Sequence, residues 1–196
     1  MVYNPCNTTS FHSLLNEKNM TQCLYVNKNG DTKRLTIEFQ GESRFLSNFY
    51  PCKVTLPAEP EHDLPEMEFS SIENAYAAWK TTGGQIRKII QSLSPKEAKE
   101  LTYSKNFPLR PDLNDEDRLT IMEILVNQKY SDKNPELKQL LLSTGNATII
   151  AGNDWNDTFF GFCLKKSFGL NHLGRLTAQR RGQLQAEQVE PELSYT

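Results

Sequence analysis

The sequence lacks the groupings of cysteine and histidine that hold metals or form redox pairs. Its four cysteines are far apart, and no two of them form a CxxC pair. Its three histidines form no HExxH or comparable ligand spacing. We therefore expect free thiols in a reducing compartment, no metal site and no cofactor.

Phosphate-binding loops and membrane segments are also missing. The chain contains neither GxxxxGK[ST] nor GxGxxG, which excludes those two kinds of nucleotide cradle. No apolar run approaches the roughly 20 residues of a membrane span, and no basic start is followed by an apolar stretch at the N-terminus. We expect an intracellular, cytoplasmic protein without a membrane partner.

Net charge is small, but it is unevenly distributed. The 196 residues carry a formal charge of −2, so overall charge does not draw the protein to nucleic acid. Residues 59–73 hold six acids and no Lys or Arg, whereas residues 172–184 hold three arginines and no acid. The second stretch predicts a small basic face that contacts phosphates.

Patterning predicts a mainly α fold, a single multihelical domain with a small β-hairpin or sheet near the N-terminus. Apolar residues make up 37% of the chain, which suits a globular protein with a core. Asn29-Gly30 within residues 23–41 is a strong hairpin signal, and residues 147–152 are typical of a short buried strand. Helical spacing and capping signals predict helices over 70–84, 85–93, 95–104, 115–132, 134–145 and 175–184. The predicted N-caps include Ser70 or Ser71, Ser94 and Asn134.

One predicted helix carries an acid and an amine on a single face. Glu73 and Lys80 are seven residues apart, close to two turns at about 3.6 residues per turn, and Tyr76 and Ala77 lie between them. A carboxylate and an amine that converge on one pocket can act as proton donor, base or nucleophile. The alternative is a helix face with ordinary surface charges.

An aromatic loop follows in the segment NDWNDTFFGF, residues 153–162. Trp155 and Phe160 offer flat rings that stack on a base or a sugar, and Asp157 offers a second carboxylate. The structural alternative is an aromatic plug in which Asp and Asn cap turns.

The segment FGLNHLGRL, residues 168–176, is typical of a corner that leads into a helix. Gly169 and Gly174 allow close backbone approach, and Asn171 can bond a polar ligand. The helix start offers N–H groups to an anion, and Arg175 can reach a phosphate. A plain loop-to-helix corner is the alternative.

A fourth candidate segment is RFLSNFYP, residues 44–51. Ser47, Asn48 and Phe49 form the centre of this aromatic stretch. The pattern is typical either of a tight turn or of a substrate clamp.

Five motifs, in this order, resemble those of the NADAR (YbiA-like) family of N-glycosidases. They are FLSNFYP, SIENAYAAWK, LRPDL, NDxFFG and GLNHLGRL. The resemblance implies a YbiA-like domain over residues 35–184. It leaves residues 1–34 as an N-terminal extension with the first hairpin strand, and residues 185–196 as an acidic C-terminal tail.

The resemblance also implies cleavage of N-glycosidic bonds to ribose. One group of the family removes ADP-ribose from guanine bases in DNA and so reverses a toxin's mark, an antitoxin-like or counter-defence role. The other releases ribose 5-phosphate from early riboflavin-pathway intermediates. We favour ADP-ribosylated guanine in DNA over a small ribosyl phosphate, with no obligate protein partner. A third possibility is an inactive module that binds ADP-ribose or nucleotides.

Matching of motifs assigns the site residue by residue. The catalytic candidates are Glu73, Lys80 and Asp157. The substrate-binding candidates are Ser47, Asn48, Phe49, Tyr76, Arg110, Trp155, Phe160, Gly161, Asn171, Gly174 and Arg175. Three positions depart from the family pattern, where relatives have His, Trp and Trp: Asn74, Leu113 and Phe160.

Two mechanisms remain open at this point. Cleavage builds positive charge on the ribose and negative charge on the leaving base, which Glu73 and Asp157 could share between them while one activates water. Alternatively, Lys80 attacks C1′ after ring opening to form a Schiff base, with Glu73 moving protons. Both mechanisms require the stripe to lie in a cavity beside the aromatic loop.

Overall fold

The chain forms two compact units. The computed structural model describes residues 23–26, 32–37, 39 and 41–193. The strand unit, as we call it, contains the described residues within 1–44 and 146–175, and the helical unit contains those within 45–145 and 176–196.

Helices dominate the described residues, which confirms the predicted mainly α fold. The α-helices are α1 (Ile72–Trp79), α2 (Gly84–Ser92), α3 (Pro95–Leu101), α4 (Asp115–Lys129), α5 (Pro135–Ser143) and α6 (His172–Leu193). The strands are β1 (Cys23–Val26), β2 (Thr32–Ile37), β3 (Val54–Leu56), β4 (Met67–Phe69), β5 (Thr148–Ile150), β6 (Gly152–Asn153) and β7 (Phe162–Cys163). None of the described helices combines the length and the apolar character needed to cross a bilayer.

The strand unit is built on a three-stranded sheet in the order β1-β2-β5. β1 and β2 pair antiparallel, which confirms the hairpin, while its predicted turn at Asn29-Gly30 lies outside the described residues. β5 joins β2 in parallel, with Leu35 opposite Thr148. β6 and β7 form a separate parallel pair, and the aromatic loop connects them.

α1 is the centre of the helical unit and contacts α2, α3, α4, β3 and β4. Its alanines Ala75, Ala77 and Ala78 are almost completely buried, since small side chains let neighbouring elements come close. Ile72 and Trp79 add large apolar surface at its two ends. Each such buried side chain stabilises the fold by about 1.5–3 kcal/mol, so α1 is held mainly by packing.

Serine caps begin two helices as predicted. Ser71 Oγ accepts a hydrogen bond from the Asn74 N–H at 3.1 Å at the start of α1. Ser94 and Glu97 form a reciprocal capping box at the start of α3. These contacts satisfy N–H groups that a helix start otherwise leaves unpaired.

The predicted cap of α5 is wrong in its chemistry. Asn134 occupies the N-cap position, but its side chain makes no capping hydrogen bond. Its Oδ1 accepts from the Lys53 N–H at 2.7 Å, and its Nδ2 donates to the Lys53 carbonyl at 2.9 Å. The amide therefore covers the backbone just before β3 like a strand neighbour.

Helix ends differ from the sequence expectation for α4 and α6. α4 ends at Lys129, three residues before the predicted end at residue 132. α6 begins at His172 and continues to Leu193, so the segment expected as an acidic tail is helical through most of its length. Gln, Ala and Glu in that segment are good helix formers, which outweighed the signal of its charge.

Candidate active site

The face of α1 carries the predicted acid and amine in a half-buried setting. Glu73 and Lys80 are half-buried, and Tyr76 between them is 6% exposed. The Lys80 Nζ lies 4.7 Å from the centroid of the Tyr76 ring. An ammonium group over an aromatic face is attracted by the ring quadrupole, so Lys80 and Tyr76 are in direct contact on this face.

The Arg118 guanidinium group holds the Tyr76 hydroxyl by a hydrogen bond. Arg118 Nε donates to Tyr76 Oη at 3.1 Å, and Arg118 Nη1 pairs with Asp115 at 2.6 Å. Burial lowers the pKa of the Arg118 guanidinium, but the hydrogen bonds and charges of Tyr76 and Asp115 outweigh it and raise that pKa. Arg118, which the sequence did not single out, therefore fixes the ring under the Lys80 amine.

The FLSNFYP motif forms a tight turn beside the start of α1. Ser47 Oγ accepts from the Phe49 N–H at 3.2 Å, and the Ser47 carbonyl accepts from the Tyr50 N–H at 3.0 Å. The Asn48 carbonyl accepts from the Glu73 N–H at 3.0 Å. The turn and the catalytic candidate Glu73 are thus joined through their backbones.

Asn48 presents a buried acceptor that has no partner among the described residues. Its Nδ2 makes only a weak contact of 3.7 Å with Met122 Sδ, and its Oδ1 is buried without a hydrogen bond. An unsatisfied buried polar atom costs about 1–3 kcal/mol, so native proteins rarely keep one without a use. A donor on a ligand would satisfy it.

Lys129 anchors the same turn from α4, a role that no local sequence pattern indicates. Its side chain is almost fully buried, and its Nζ donates to the Ser47 carbonyl at 2.7 Å. Burial lowers the pKa of the amine to about 7, although the nearby Cys52 thiol acts in the opposite direction. The only signal in the sequence is that Lys129 lies at helical spacing with the apolar residues of α4, which indicates a side chain on the buried face.

Arg110 and Phe49 lie in the helical unit as well. The Arg110 guanidinium lies 4.8 Å from the Trp79 ring centroid and pairs with Glu59 at 2.7 Å. Phe49 is 37% exposed, and the Lys99 amine lies 5.5 Å from its ring centroid. Arg110 is therefore largely engaged by the protein, whereas Phe49 is open to a ligand.

In the strand unit, Asp157 organises the aromatic loop. Its Oδ1 accepts from the Phe159 N–H at 3.1 Å and from the Phe160 N–H at 3.0 Å. Asn153 Oδ1 accepts from the Asp157 N–H at 3.0 Å. Phe160 is 8% exposed and packs edge-to-face on Phe159 at 4.8 Å, whereas Trp155 is 61% exposed.

Close backbone packing shapes the start of α6 at Asn171 and Gly174, and the aromatic loop at Gly161. Asn171 has a φ of 52°, and its amide accepts from the Ala151 N–H at 2.9 Å and donates to the Ile149 carbonyl at 3.0 Å. A Cβ at Gly174 would lie 2.4 Å from the Ile149 oxygen, and one at Gly161 would lie 2.5 Å from an Asn153 amide atom. Close packing excludes side chains at both glycines.

The predicted basic face at residues 172–184 is only partly present. Arg175 is exposed. Arg180 pairs with Glu187 at 3.1 Å, and Arg181 is 8% exposed and donates to Thr144 at 2.7 Å. Two of the three arginines are used within the protein, so a phosphate contact at this face rests on Arg175.

The departure from the family pattern at Asn74 has a structural reason. Asn74 is fully buried, and its Oδ1 accepts from the Ser71 hydroxyl at 2.6 Å. Its Nδ2 donates to the carbonyls of Ile90 at 2.9 Å and Leu93 at 2.8 Å. The amide therefore ties the start of α1 to the end of α2.

One group among the described residues has donor spacing suited to a cation. The side-chain ligand atoms of Glu59, Glu61 and His62 lie within 4.8 Å of one another. Both carboxylate oxygens of Glu59 bond to guanidinium groups, from Arg87 and Arg110. A cation there would compete with two positive charges, so the group is a poor metal site.

The candidates thus fall into two sets. The helical unit brings together Ser47, Asn48, Phe49, Glu73, Tyr76, Lys80 and Arg110. The strand unit contains Trp155, Asp157, Phe160, Gly161, Asn171, Gly174 and Arg175.

Comparison with known proteins identifies a family and a related solved structure. The NADAR domain pattern matches residues 37–185, a region that contains all five motifs. The NMR structure of the E. coli protein YbiA is similar, with 26% identity, a TM-score of 0.62, and coverage of 79% of this chain and 88% of that one. No curated protein sequence matches the chain. The domain boundaries at residues 35 and 184 stay a prediction.

Proposed function

The chain belongs to the NADAR family, a family of N-glycosidases in general, and from that premise we propose that it removes ADP-ribose from guanine in DNA. The bond cleaved is C1′–N of the ribose. The observation that carries the proposal is the half-buried cluster on α1, in which the Lys80 amine lies over the Tyr76 ring on the face that also carries Glu73.

The α1 cluster has the groups that this cleavage needs. Positive charge develops on the ribose as the bond breaks, and the Glu73 carboxylate is suited to stabilise it. A cation or a proton donor must offset the charge on the leaving base, a task for which Lys80 is placed. Asn48 Oδ1, buried and unpaired among the described residues, would accept from a sugar hydroxyl or a base N–H.

The surface next to the Asn48 turn supports a nucleic-acid substrate. Phe49 is 37% exposed beside the Lys99 amine, and Tyr103, four residues further along, is 75% exposed. Exposed aromatic rings stack on bases, and a lysine beside such a ring attracts phosphates. A small ribosyl phosphate would have no use for such a surface.

Two substrates test the choice directly. The protein is incubated with an oligonucleotide that carries ADP-ribosyl-guanine, and separately with the aminopyrimidine ribose phosphate of the riboflavin pathway. We expect release of ADP-ribose from the first and no ribose 5-phosphate from the second. Release from the second alone would establish the riboflavin-type activity instead. Binding by calorimetry without product over hours would indicate an inactive module.

Borohydride separates the two mechanisms. If Lys80 forms a Schiff base with the opened sugar, reduction during turnover leaves a covalent adduct on that lysine. If Glu73 acts as a carboxylate with water as nucleophile, turnover continues without an adduct. Glu73→Gln should abolish release in either case, whereas Glu68→Gln, at an exposed position on β4, should not change it.

A further inference from the structure

We infer that Glu59 is a positioning residue for Lys80 and acts through two arginines, Arg87 and Arg110. The inference rests on the proposed role of Lys80. Glu59 lies in a proline-rich acidic stretch whose sequence pattern predicts a surface loop.

A single carboxylate holds both guanidinium groups. Glu59 Oε1 pairs with Arg87 Nη2 at 2.6 Å, and Glu59 Oε2 pairs with Arg110 Nη2 at 2.7 Å. The side chains of Glu59, Arg87 and Arg110 are 13%, 0% and 10% exposed. Charge-assisted hydrogen bonds in such a poorly hydrated place are short and directional, so the three groups act as one unit.

Both arginines donate hydrogen bonds to backbone carbonyls at the end of α1, next to Lys80. The Arg110 backbone N–H donates to the Lys80 carbonyl at 2.8 Å, and the Arg87 side-chain Nε donates to the Thr81 carbonyl at 2.9 Å. The Arg110 guanidinium also lies 4.8 Å from the Trp79 ring centroid. Three successive residues, with Lys80 in the middle, are thus held by the pair that Glu59 ties together.

These hydrogen bonds matter because Lys80 lies at the C-terminal end of α1, where the helix backbone is least constrained. α1 ends at Trp79, and the last carbonyls of a helix have no partner within it. Cations are also favoured at that end by the helix dipole. Fixing the backbone at Lys80 fixes the origin of its side chain, which keeps the amine over the Tyr76 ring.

The test is Glu59→Gln in the full chain. Glutamine keeps the size of the side chain but has one acceptor oxygen and no charge, so it cannot hold both guanidinium groups. Misplacement of a reacting group by about 1 Å costs on the order of 10²-fold in rate, so we expect a fall in kcat of about 10- to 100-fold with KM nearly unchanged. Glu61→Gln removes the same charge from an exposed position in the same loop and should leave kcat unchanged.

A second readout does not depend on activity. Brief acylation of lysines, followed by mass spectrometry, compares Lys80 with the exposed Lys96. Local loosening exposes a side chain to reagent, so we expect the Lys80:Lys96 labelling ratio to rise about threefold or more in Glu59→Gln. If the wild type is inactive on every substrate, the proposed function fails. The labelling ratio still tests whether Glu59 positions the Lys80 side chain.

One outcome would overturn the inference. If Glu59→Gln lowers only the melting temperature and leaves both kcat and the labelling ratio unchanged, Glu59 stabilises the fold without positioning Lys80. Should that variant not fold, Arg87→Lys replaces it. Lysine keeps the charge but cannot reach Thr81 and Glu59 with a planar fork, so the same two readouts should change in the same direction.

Discussion

The face of α1 and the loops of the strand unit use their candidate side chains in opposite ways. In α1, backbone groups near the helix ends are paired by other residues: the Ser71 side chain accepts from the Asn74 N–H, and the Arg110 backbone N–H donates to the Lys80 carbonyl. The side chains of Glu73 and Lys80 lie half-buried on the helix face, with the Lys80 amine over the Tyr76 ring. In the loops, the side chains of Asp157 and Asn171 hold backbone groups in place.

This difference determines what a substitution measures. On α1, we expect a change at half-buried Glu73 or Lys80 to affect chemistry more than the fold, whereas Tyr76 is buried and also packs. In the loops, the same kind of change removes hydrogen bonds that shape the backbone, so lost activity would follow from lost structure. Four predictions test that distinction.

The largest expected effect comes from Lys80→Met. General acid–base or nucleophilic groups contribute about 10²–10⁴-fold, so we expect release of ADP-ribose to slow by about 10³-fold. The free energy of unfolding should fall by about 1 kcal/mol or less, because the half-buried amine loses its contact with the Tyr76 ring.

Steady-state rates and urea unfolding of the same preparation check both parts. Lys96→Met, at an exposed position on α3, is the matched control and should behave like the wild type. Wild-type rates in Lys80→Met would show that the α1 face is only a surface stripe.

Local patterns predicted helix α1 and its serine cap correctly because both depend on local rules, while the catalytic roles of Glu73 and Lys80 stay a prediction. Two-turn spacing aligned Glu73 with Lys80, and serines before apolar runs marked the helix starts. The corner at Asn171 was equally readable, because a Gly-rich stretch before a helix announces a tight change of direction.

Contacts between distant parts of the chain could not be read in this way. Glu59 is 28 residues from Arg87 and 51 residues from Arg110, so its sequence neighbourhood shows only a charged loop. Lys129 is 82 residues from Ser47, its hydrogen-bond partner. Partners at such separations are fixed by packing, and a single sequence records no trace of the pairing.

The next largest effect is expected for Asn171→Ala in the strand unit. The change removes the acceptor for the Ala151 N–H and the donor to the Ile149 carbonyl, and it leaves alanine at a positive φ. We expect the free energy of unfolding to fall by about 3 kcal/mol, measured by urea denaturation.

Asn156→Ala is the control for backbone strain alone. Asn156 has a φ of 68°, and its side-chain oxygen accepts a weak contact of 3.8 Å from Cys163 Sγ. That variant should lose about 1 kcal/mol. Equal losses in the two variants would mean that the Asn171 amide contributes nothing beyond its conformation.

A pH effect is expected from Lys129 in the helical unit. Burial lowers the pKa of this amine to about 7 from its usual 10.5, so between those values the unfolded chain holds a proton that the folded chain does not. Stability therefore rises with pH in that window, by about 1.4 kcal/mol per unit, and this gain is absent below pH 7.

Lys129→Met removes the titrating group. Relative to this variant, the wild type should gain stability from pH 7 to pH 9 in urea unfolding experiments. Lys96→Met, which changes an exposed amine, should keep the wild-type slope. Parallel stability curves for the wild type and Lys129→Met would show that the buried amine stays charged in the fold.

The smallest effect on stability is expected for Asp157→Asn, which separates charge from structure within one loop residue. The asparagine oxygen can still accept from the Phe159 and Phe160 N–H groups, so unfolding should change by less than about 0.5 kcal/mol. Asp157→Ala removes the acceptor and should cost about 1–2 kcal/mol.

The activity of Asp157→Asn then shows whether Asp157 has a chemical role, as proposed for the α1 face, or only a structural role in its loop. If the negative charge takes part in cleavage, kcat falls although stability is kept, and Asp157 acts chemically as well as structurally. If kcat stays at the wild-type value, Asp157 is a loop-shaping residue like Asn171. In that case Glu73, on the half-buried face of α1, is the candidate for the catalytic carboxylate.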